Sequence, residues 1–161
     1  MTPSDPSLKS KLLAALRAAL HAQLDALTSM VGASRDEATN AESRPENKYD
    51  TRALEASYLA AGQGERLADL KQLVAWLDAL DDRPATTARL GSFVTVDDGE
   101  AEVWMLLAPQ GGHELEHGGA RVQLVGTASP LGQALVGAEP GDTVTFDAPS
   151  GERELDVIGV A

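Results

Sequence analysis

Three carboxylates lie within nine residues in the first half of the chain. Glu42, Glu46 and Asp50 surround a proline in the segment E-S-R-P-E-N-K-Y-D. Carboxylate oxygens suit Mg²⁺, which binds one or two of them while it keeps several waters. Carboxylates delivered to a site that a partner builds can help to hold a metal ion and orient the water that hydrolyses a phosphodiester. A solvated turn is the alternative, and the residues alone leave both interpretations open.

A second segment, His113–His117, reads H-E-L-E-H and matches the H-E-x-x-H pattern of zinc hydrolases. In that pattern the two histidines lie one helical turn apart and bind one ion, and the glutamate activates the metal-bound water. Here glycine pairs at 111–112 and 118–119 flank the motif, which disfavours a helix. We therefore expect a hairpin loop, and a metal-dependent hydrolase using His113 and His117 is kept as an alternative.

Several other chemistries lack the residues that they need. The chain has no cysteine, which excludes disulfides, thiol catalysis and cysteine-based zinc sites. Neither a phosphate-binding glycine loop nor a G-x-S-x-G nucleophile turn is present. The acidic segment is therefore the main candidate for chemistry.

Charge and composition narrow the classes of partner. The 161-residue chain has a formal net charge of −12 and only 4% aromatic residues. Both properties disfavour direct binding to nucleic acid. Residues 1–82 hold 13 acidic and 9 basic residues, whereas residues 83–161 hold 12 and 4. No signal-peptide pattern is present, and charges interrupt the leucine-rich stretch at 8–31, so we expect no membrane-spanning helix there and no membrane partner. A cytoplasmic setting is expected only from the family resemblance described below.

Apolar residues at helical spacing predict two long helices on either side of the acidic segment. Ser4 or Ser7 is predicted to cap the first helix, with Pro6 near its start. Residues spaced three, four and seven apart form one stripe in each helix. The stripes are Leu13, Leu16, Leu20, Leu24, Leu27 and Val31 in the first, and Leu67, Leu70, Val74 and Leu77 in the second. Two such helices joined by a short polar segment predict an antiparallel helical hairpin or coiled coil.

The chain changes character near Pro84, where glycine and valine become frequent and short alternating runs begin. The predicted domains are therefore 1–83, a helical hairpin with an acidic tip near 42–50, and 84–161, a mostly antiparallel sheet of four or five strands. One short helix interrupts the strands, with Ser129 as its N-cap, Pro130 in its first turn and Gly137 as its stop.

Two segments resemble the Gre family of bacterial transcription factors, the GreA and GreB proteins and their paralogues. The residues at 45–49, P-E-N-K-Y, are similar to the tip of that family. The run S-P-L-G-Q-A-L-V-G at 129–137 is followed by P-G-D-T-V at 140–144 and R-E-L-D-V-I at 153–158, in the family's order. The resemblance implies an α+β fold, with an N-terminal helical hairpin and an FKBP-like C-terminal domain.

The same resemblance implies a function without an active site of its own. It implies that the chain binds RNA polymerase through its C-terminal domain and inserts the hairpin into the secondary channel. Glu46, Glu42 and Asp50 would assist the cleavage of backtracked RNA, with Glu46 and Glu42 as ligands of a Mg²⁺ ion shared with the polymerase. The isolated protein would bind no cofactor stably, and the catalyst would be the polymerase.

Two further alternatives stand beside this interpretation and the metal-dependent hydrolase. A paralogue that occupies the channel without cleavage would modulate or inhibit the polymerase. A prolyl isomerase built on the sheet domain is disfavoured, because the domain offers few aromatic residues to line a proline pocket.

Overall fold

The computed structural model describes residues 5–42 and 51–161. Within these ranges the chain forms three helices and six strands. The elements in chain order are α1 (Pro6–Glu42), α2 (Thr51–Asp78), β1 (Phe93–Asp97), β2 (Glu102–Ala108), β3 (His113–His117), β4 (Ala120–Gly126), α3 (Pro130–Leu135), β5 (Thr143–Ala148) and β6 (Gly151–Val160). The predicted α+β fold class, two long helices followed by a mostly antiparallel sheet with one short helix, is confirmed. Within the described residues, no helix combines the length and the apolar character that crossing a bilayer requires.

Asp5 caps the beginning of α1. Its side chain accepts a hydrogen bond of 2.9 Å from the backbone N–H of Ser7, and its carbonyl accepts from Leu8 and Lys9. The prediction of Ser7 as the cap is therefore wrong, because Ser7 already lies inside the helix, one residue after Pro6. A carboxylate at this position accepts a hydrogen bond from an otherwise unpaired amide, and its negative charge interacts favourably with the positive end of the helix dipole.

By their contacts, the residues divide into two units. The first part of α1, as far as Leu16, groups with Leu80–Ala161, and Arg17–Ala79 forms the other unit. In the first unit Lys9 is buried, and its ammonium donates to the carbonyl of Arg83 at 3.0 Å and lies 2.9 Å from the Asp82 carboxylate. The predicted division at residues 83 and 84 stays a prediction.

The unit Arg17–Ala79 contains most of both long helices, and one apolar stripe from each is buried. Arg17 Nε donates to the carbonyl of Leu77 at 3.1 Å, so this part of α1 begins beside the end of α2. The helices therefore run antiparallel, as the stripes predict. The buried members are Leu20, Val31, Leu70, Leu73, Val74 and Leu77.

The six strands form one sheet with the order β3-β4-β2-β1-β6-β5. All neighbouring pairs are antiparallel except β2 and β4, which run parallel from Val103 beside Arg121 to Ala108 beside Gly126. The parallel pair arises because β3 first forms the sheet edge and then turns back, which places β4 between β3 and β2. The sheet thus has six strands, where the sequence predicts four or five.

The additional strand is β3, at the segment predicted to be a hairpin loop. Its side chains are almost all polar, and none of them belongs to the apolar core, so the sequence offers no buried alternating face. Backbone pairing with β4 nevertheless extends from His113 beside Leu124 to His117 beside Ala120. An edge strand needs only one hydrogen-bonded neighbour, and charged residues are common there.

One face of the sheet carries an apolar core over which α3 packs against β4 and β5. Alternate residues of β1, β2 and β6 point into it, as the period of a strand requires. The core consists of Ala88, Val94, Val96, Val103, Met105, Leu107, Val125, Leu135, Ala138, Val144, Leu155 and Val157. The intervening residues of β1 and β2 include Phe93 and Trp104, which are buried and make an edge-to-face contact with ring centroids 6.1 Å apart.

Candidate functional site

The acidic segment falls where α1 ends and α2 begins. Glu42 is the last residue of α1, and Thr51 is the first residue of α2. Glu46 and Asp50 therefore belong to the connection 43–50, which lies outside the described residues. The roles assigned to Glu42, Glu46 and Asp50 stay predictions, while the fold places their segment between the two long helices.

The helices that lead to this connection are held together at their opposite end by polar contacts as well as leucines. His21 Nε2 lies 2.8 and 3.0 Å from the two carboxylate oxygens of Asp78, and both side chains are about half exposed. One turn earlier, the guanidinium of Arg17 reaches the carbonyl of Leu77 near the end of α2. These contacts fix which residues of the two helices face each other. They therefore determine the register in which the helices reach residues 42 and 51.

The short helix α3 begins as the sequence predicts. Ser129 is extended, its hydroxyl accepts from the backbone N–H of Gly132 at 3.0 Å, and Pro130 follows it. The same hydroxyl donates to the carbonyl of Gly126 at 2.7 Å. The helix ends at Leu135, and Gly137 adopts a positive φ of 90° that an L-residue rarely takes. Ser129 thus ties the beginning of α3 to the end of β4.

A second set of backbone bonds fixes the chain after α3. The N–H of Gly137 donates to the carbonyl of Ala88, and the N–H of Ala88 donates to the carbonyl of Ala138, both at 2.8 Å. At the following turn, the carboxylate of Asp142 accepts from the N–H of Glu139 at 2.8 Å. The beginning of α3 is therefore tied to β4 through Ser129, and its end is tied to the segment before β1 through Ala88.

A shallow groove lies between α3 and the edge strand β3. His113, Glu114, Gln123, Ser129 and Leu131 contribute to its walls. Burial lowers the pKa of His113 below its ordinary value of 6.5, because desolvation disfavours the charged imidazolium. Burial therefore favours the neutral form of the His113 imidazole. The sequence motifs gave no sign of this groove, because its residues come from three separate elements.

The strand conformation of β3 is incompatible with a zinc site of the H-E-x-x-H type within one chain. His113 and His117 lie on the same face of a strand, four residues apart, which corresponds to about 13 Å along the backbone. Two ligands of one zinc ion each lie about 2 Å from it. Among the described residues, no group of three or more histidine, aspartate or glutamate side chains could hold a metal ion. The hydrolase alternative therefore loses its geometric basis.

The aromatic side chains of the sheet do not build a proline pocket either. Phe93 and Trp104 are 1% and 5% exposed and contact each other inside the protein. Phe146 is partly buried against the apolar core. These three aromatic side chains therefore do not form an exposed pocket for a proline ring, and they do not support the prolyl-isomerase alternative.

Two long antiparallel helices, a six-stranded sheet and one short capped helix together define an α+β class of protein. Comparison with protein families places this chain more narrowly. The family model for the C-terminal part of the transcription elongation factors GreA and GreB matches residues 83–161.

Individual relatives extend the similarity to the helices. The transcription elongation factor GreA of Chloroflexus aurantiacus is 31% identical over 157 residues, which cover 89% of this chain and 92% of that protein. GreA of Brucella canis is 31% identical over 117 residues, covering 71% of each chain. GreA of Acidiphilium cryptum is 30% identical over 99 residues, and there the match spans only 60% of the relative's length.

Solved structures of related proteins are also similar to this chain. A structure of the transcription factor Gfh1 has 20% identity, covers 89% of this chain and 92% of its own, and has a TM-score of 0.39. A GreA/GreB elongation factor from Nitrosomonas europaea has 20% identity and a TM-score of 0.35, and covers 57% of this chain and 78% of its own. On the extent of the match to the Chloroflexus and Brucella proteins, the chain belongs to the GreA/GreB family of transcription elongation factors.

Proposed function

We propose that this chain binds RNA polymerase and acts on transcription elongation by inserting its helical pair into the secondary channel. The observation that carries the proposal is the similarity to a GreA protein over 157 residues, which includes both long helices and the sheet domain. The proposed partner also implies that the chain works in the cytoplasm.

The proposed chemistry belongs to the connection between the helices. Glu46 and Glu42, assisted by Asp50, would complete the coordination of a Mg²⁺ ion in the active site of the polymerase. When bound, such an ion would activate a water for hydrolysis of the backtracked RNA, in which the bond between the phosphorus and the 3′ oxygen of the upstream nucleotide would break and that oxygen would take up a proton. In this scheme the polymerase is the catalyst, and the chain contributes ligands to it.

The charge of the connection supports a site that is shared with a partner. Segment 42–50 holds three acidic residues, but also Arg44 and Lys48, so its net charge is 2 − 3 = −1. Mg²⁺ gives up its waters reluctantly and usually relies on carboxylates together with substrate phosphates. A segment of such low net charge is a poor Mg²⁺ site by itself and a suitable contributor to a site that already holds the ion.

A second candidate function is occupation of the channel without cleavage. The observation that favours it is Ser43, which stands where the resemblance would place an aspartate three residues before Glu46. Glu42 lies one residue further back, and the order Lys48-Tyr49-Asp50 differs from the acid-then-tyrosine order of the family. A factor of this kind would slow or modulate the polymerase by obstructing the channel.

A cleavage assay on backtracked polymerase complexes separates the two functions. The wild-type chain is expected to shorten the RNA in the presence of Mg²⁺, and Glu46→Gln is expected to reduce the rate at least about tenfold, because a ligand is lost. The matched control is Glu65→Gln, which removes an exposed carboxylate from α2 and should leave the rate unchanged.

Binding must be measured on the same complexes. If polymerase binds the wild-type chain and the RNA stays intact, the cleavage function is wrong and the channel-occupying function stands. If polymerase does not bind the chain at all, both functions are wrong. Equal cleavage by Glu46→Gln and wild type would remove Glu46 from the mechanism.

A further inference from the structure

The strand β3 forms an open edge of the sheet. It pairs with β4 on one side, and it is the outermost strand in the order of the sheet. Among residues 5–42 and 51–161, no strand pairs with its other side. Such an edge presents unpaired backbone N–H and C=O groups to any chain that can align with it.

The turn that ends β3 determines which residues carry those outward groups. Gly118 and Gly119 form the two-residue connection to β4, with φ values of 59° and 82°, as in a type I′ turn. In such a hairpin the flanking residues, His117 and Ala120, exchange backbone hydrogen bonds. Hydrogen-bonded pairs alternate along an antiparallel ladder, so the backbone groups of Glu114 and Glu116 point away from β4.

The five residues of β3 read the same in both directions, H-E-L-E-H. Suppose that β3 of a second copy aligns antiparallel with this edge, so that the Leu115 residues of the two copies lie opposite each other. Each Glu114 then lies opposite Glu116 of the other copy, and these two residues exchange the backbone hydrogen bonds that join the two strands. Each His113 then faces His117 of the other copy in a pair without direct backbone bonds. Pairs of that kind bring the Cα atoms to about 4.5 Å and the side chains close together.

This arrangement would create a metal site that one chain does not possess. Within a chain the two histidines are about 13 Å apart along the strand, but across two copies their Cβ atoms are about 5 Å apart. Two imidazole nitrogens can then reach one ion at about 2.0–2.1 Å, and waters can complete a tetrahedron. Imidazole suits Zn²⁺, Ni²⁺ and Cu²⁺ rather than Mg²⁺ or Ca²⁺.

We propose that β3 is a metal-dependent dimerisation edge, at which His113 of one copy and His117 of a second copy of this chain bind one transition-metal ion. The twofold symmetry of the pairing generates two such sites per dimer. The second copy is the proposed occupant because the palindromic strand makes the edge complementary to itself, and because each site is incomplete without it.

The carboxylates on the opposite face of β3 make the pairing depend on the metal. Arg121 Nε lies 3.5 Å from the Glu114 carboxylate, and Gln123 donates to the same carboxylate at 3.2 Å. Each copy thus has two glutamates and one arginine on this face of β3 and β4. In the paired strands, Glu114 of one copy lies opposite Glu116 of the other. Like charges directly opposite are destabilising, so the metal-free edges repel each other. Two divalent ions on the histidine face offset that repulsion.

Sedimentation velocity of the full chain with and without Zn²⁺ tests the proposal. The expected result is a monomer in EDTA, a dimer with about one zinc per chain in Zn²⁺, and no dimer in Mg²⁺. His117→Ala should abolish the zinc-induced dimer, and so should His113→Ala. The matched control is His21→Ala, which removes the only other histidine and lies outside the sheet unit, and it should dimerise like the wild type.

Mixing the two histidine variants tests the antiparallel register directly. A dimer of His113→Ala with His117→Ala retains one intact pair, His117 of the first with His113 of the second, whereas neither variant alone retains any. The mixture is therefore expected to regain zinc-dependent association, at a higher zinc concentration than the wild type. Failure of the mixture to associate would overturn the antiparallel pairing. Zinc-dependent association of either variant alone would also overturn it, because in a parallel dimer each histidine faces the same residue of the other copy and each variant keeps one such pair.

The charge contribution is tested by Glu114→Gln combined with Glu116→Gln. This variant should dimerise at a several-fold lower zinc concentration, because the repulsion across the edge is removed. An unchanged zinc midpoint contradicts the proposed facing of the glutamates. Zinc binding to a chain that stays monomeric at all concentrations, or a dimer that persists in His117→Ala, overturns the proposal as a whole.

Discussion

The sheet unit and the helical unit use their apolar residues in different ways. In the sheet unit the core is continuous from β1 to β6 and includes α3, and several of its side chains have no exposed surface. Among the described side chains of the unit Arg17–Ala79, burial is confined to one stripe of each helix, and the two exposed leucines lie near the start of α2. Leu20 and Leu77 are 2% and 1% exposed, whereas Leu54 and Leu59 are 60% and 63% exposed.

This difference separates the residues that stabilise the protein from those proposed to act. Burial of a large apolar side chain contributes on the order of 1.5–3 kcal/mol to the free energy of unfolding. The apolar core of the sheet and the buried leucines around Leu20 and Leu77 therefore contribute most of the stability. The connection 43–50 follows the end of α1, where leucines give way to charged and small residues. Substitutions there should change function with little effect on unfolding, and core substitutions should do the reverse.

The largest change in the free energy of unfolding is expected when the buried ring of Phe93 is removed from the sheet. Phe93→Ala removes a ring that is 1% exposed and contacts Trp104, and it should cost about 3–5 kcal/mol of the free energy of unfolding. Urea denaturation gives the total, and amide hydrogen exchange shows whether the loss is confined to the sheet strands. Leu59→Ala in α2 is the control and should stay within about 0.5 kcal/mol of wild type. Equal losses in both variants would remove the contrast between the units.

The next effect concerns the attachment of α3 to the sheet. Ser129→Ala removes both the cap of α3 and the hydrogen bond to Gly126, and we expect a loss of about 1–2 kcal/mol in urea denaturation. Ser129→Thr keeps the hydroxyl and should recover most of that loss. A wild-type midpoint for Ser129→Ala would show that the capping hydroxyl contributes nothing to stability.

Glycine substitutions should have opposite signs in the two units. Gly62 lies inside α2 with open space around it, and Gly62→Ala should raise the free energy of unfolding by up to about 1 kcal/mol. Gly141 is equally open but has a φ of 97°, and Gly141→Ala should lower it by about 1 kcal/mol. Thermal unfolding of the two variants side by side measures the difference. Changes of the same sign would contradict the conformational explanation.

The smallest effect is a pH dependence at the turn after β1. The backbone N–H groups of Ala101 and Glu100 donate to the Asp98 carboxylate, and they hold its pKa below the ordinary value of 3.8. The charged form therefore stabilises the turn above about pH 3.8, and this contribution is lost as the pH falls through the lower pKa of the folded state. An NMR titration of the Asp98 carboxyl group should give a midpoint below 3.8, and a midpoint at or above that value would contradict the hydrogen bonding.

Much of this fold could be predicted from local sequence. The leucine spacing predicted both long helices, and Ser129 and Pro130 marked the beginning of α3. Residues that depend on distant partners were missed. Lys9 is a charged residue that the pattern assigns to solvent, yet it is 6% exposed because Asp82 and the carbonyl of Arg83 satisfy its ammonium.

The candidate sites show the same division. The acidic segment could be recognised because its residues are adjacent in sequence, and its position between α1 and α2 follows from the lengths of the helices. The groove beside α3 could not, since β3, β4 and α3 each contribute only a few of its residues. The lowered pKa of His113 results from burial that no local pattern encodes.

The sequence by itself determined the two long helices, the change of character near Pro84, the capped helix α3 and the membership of the Gre family, because helix periodicity, caps and motifs are local properties. Only the tertiary structure decided that the H-E-L-E-H segment is an edge strand. Its polar side chains carry no burial signal, and its strand conformation depends on backbone hydrogen bonds to β4. That pairing separates His113 from His117 within one chain and leaves the outer side of the strand open.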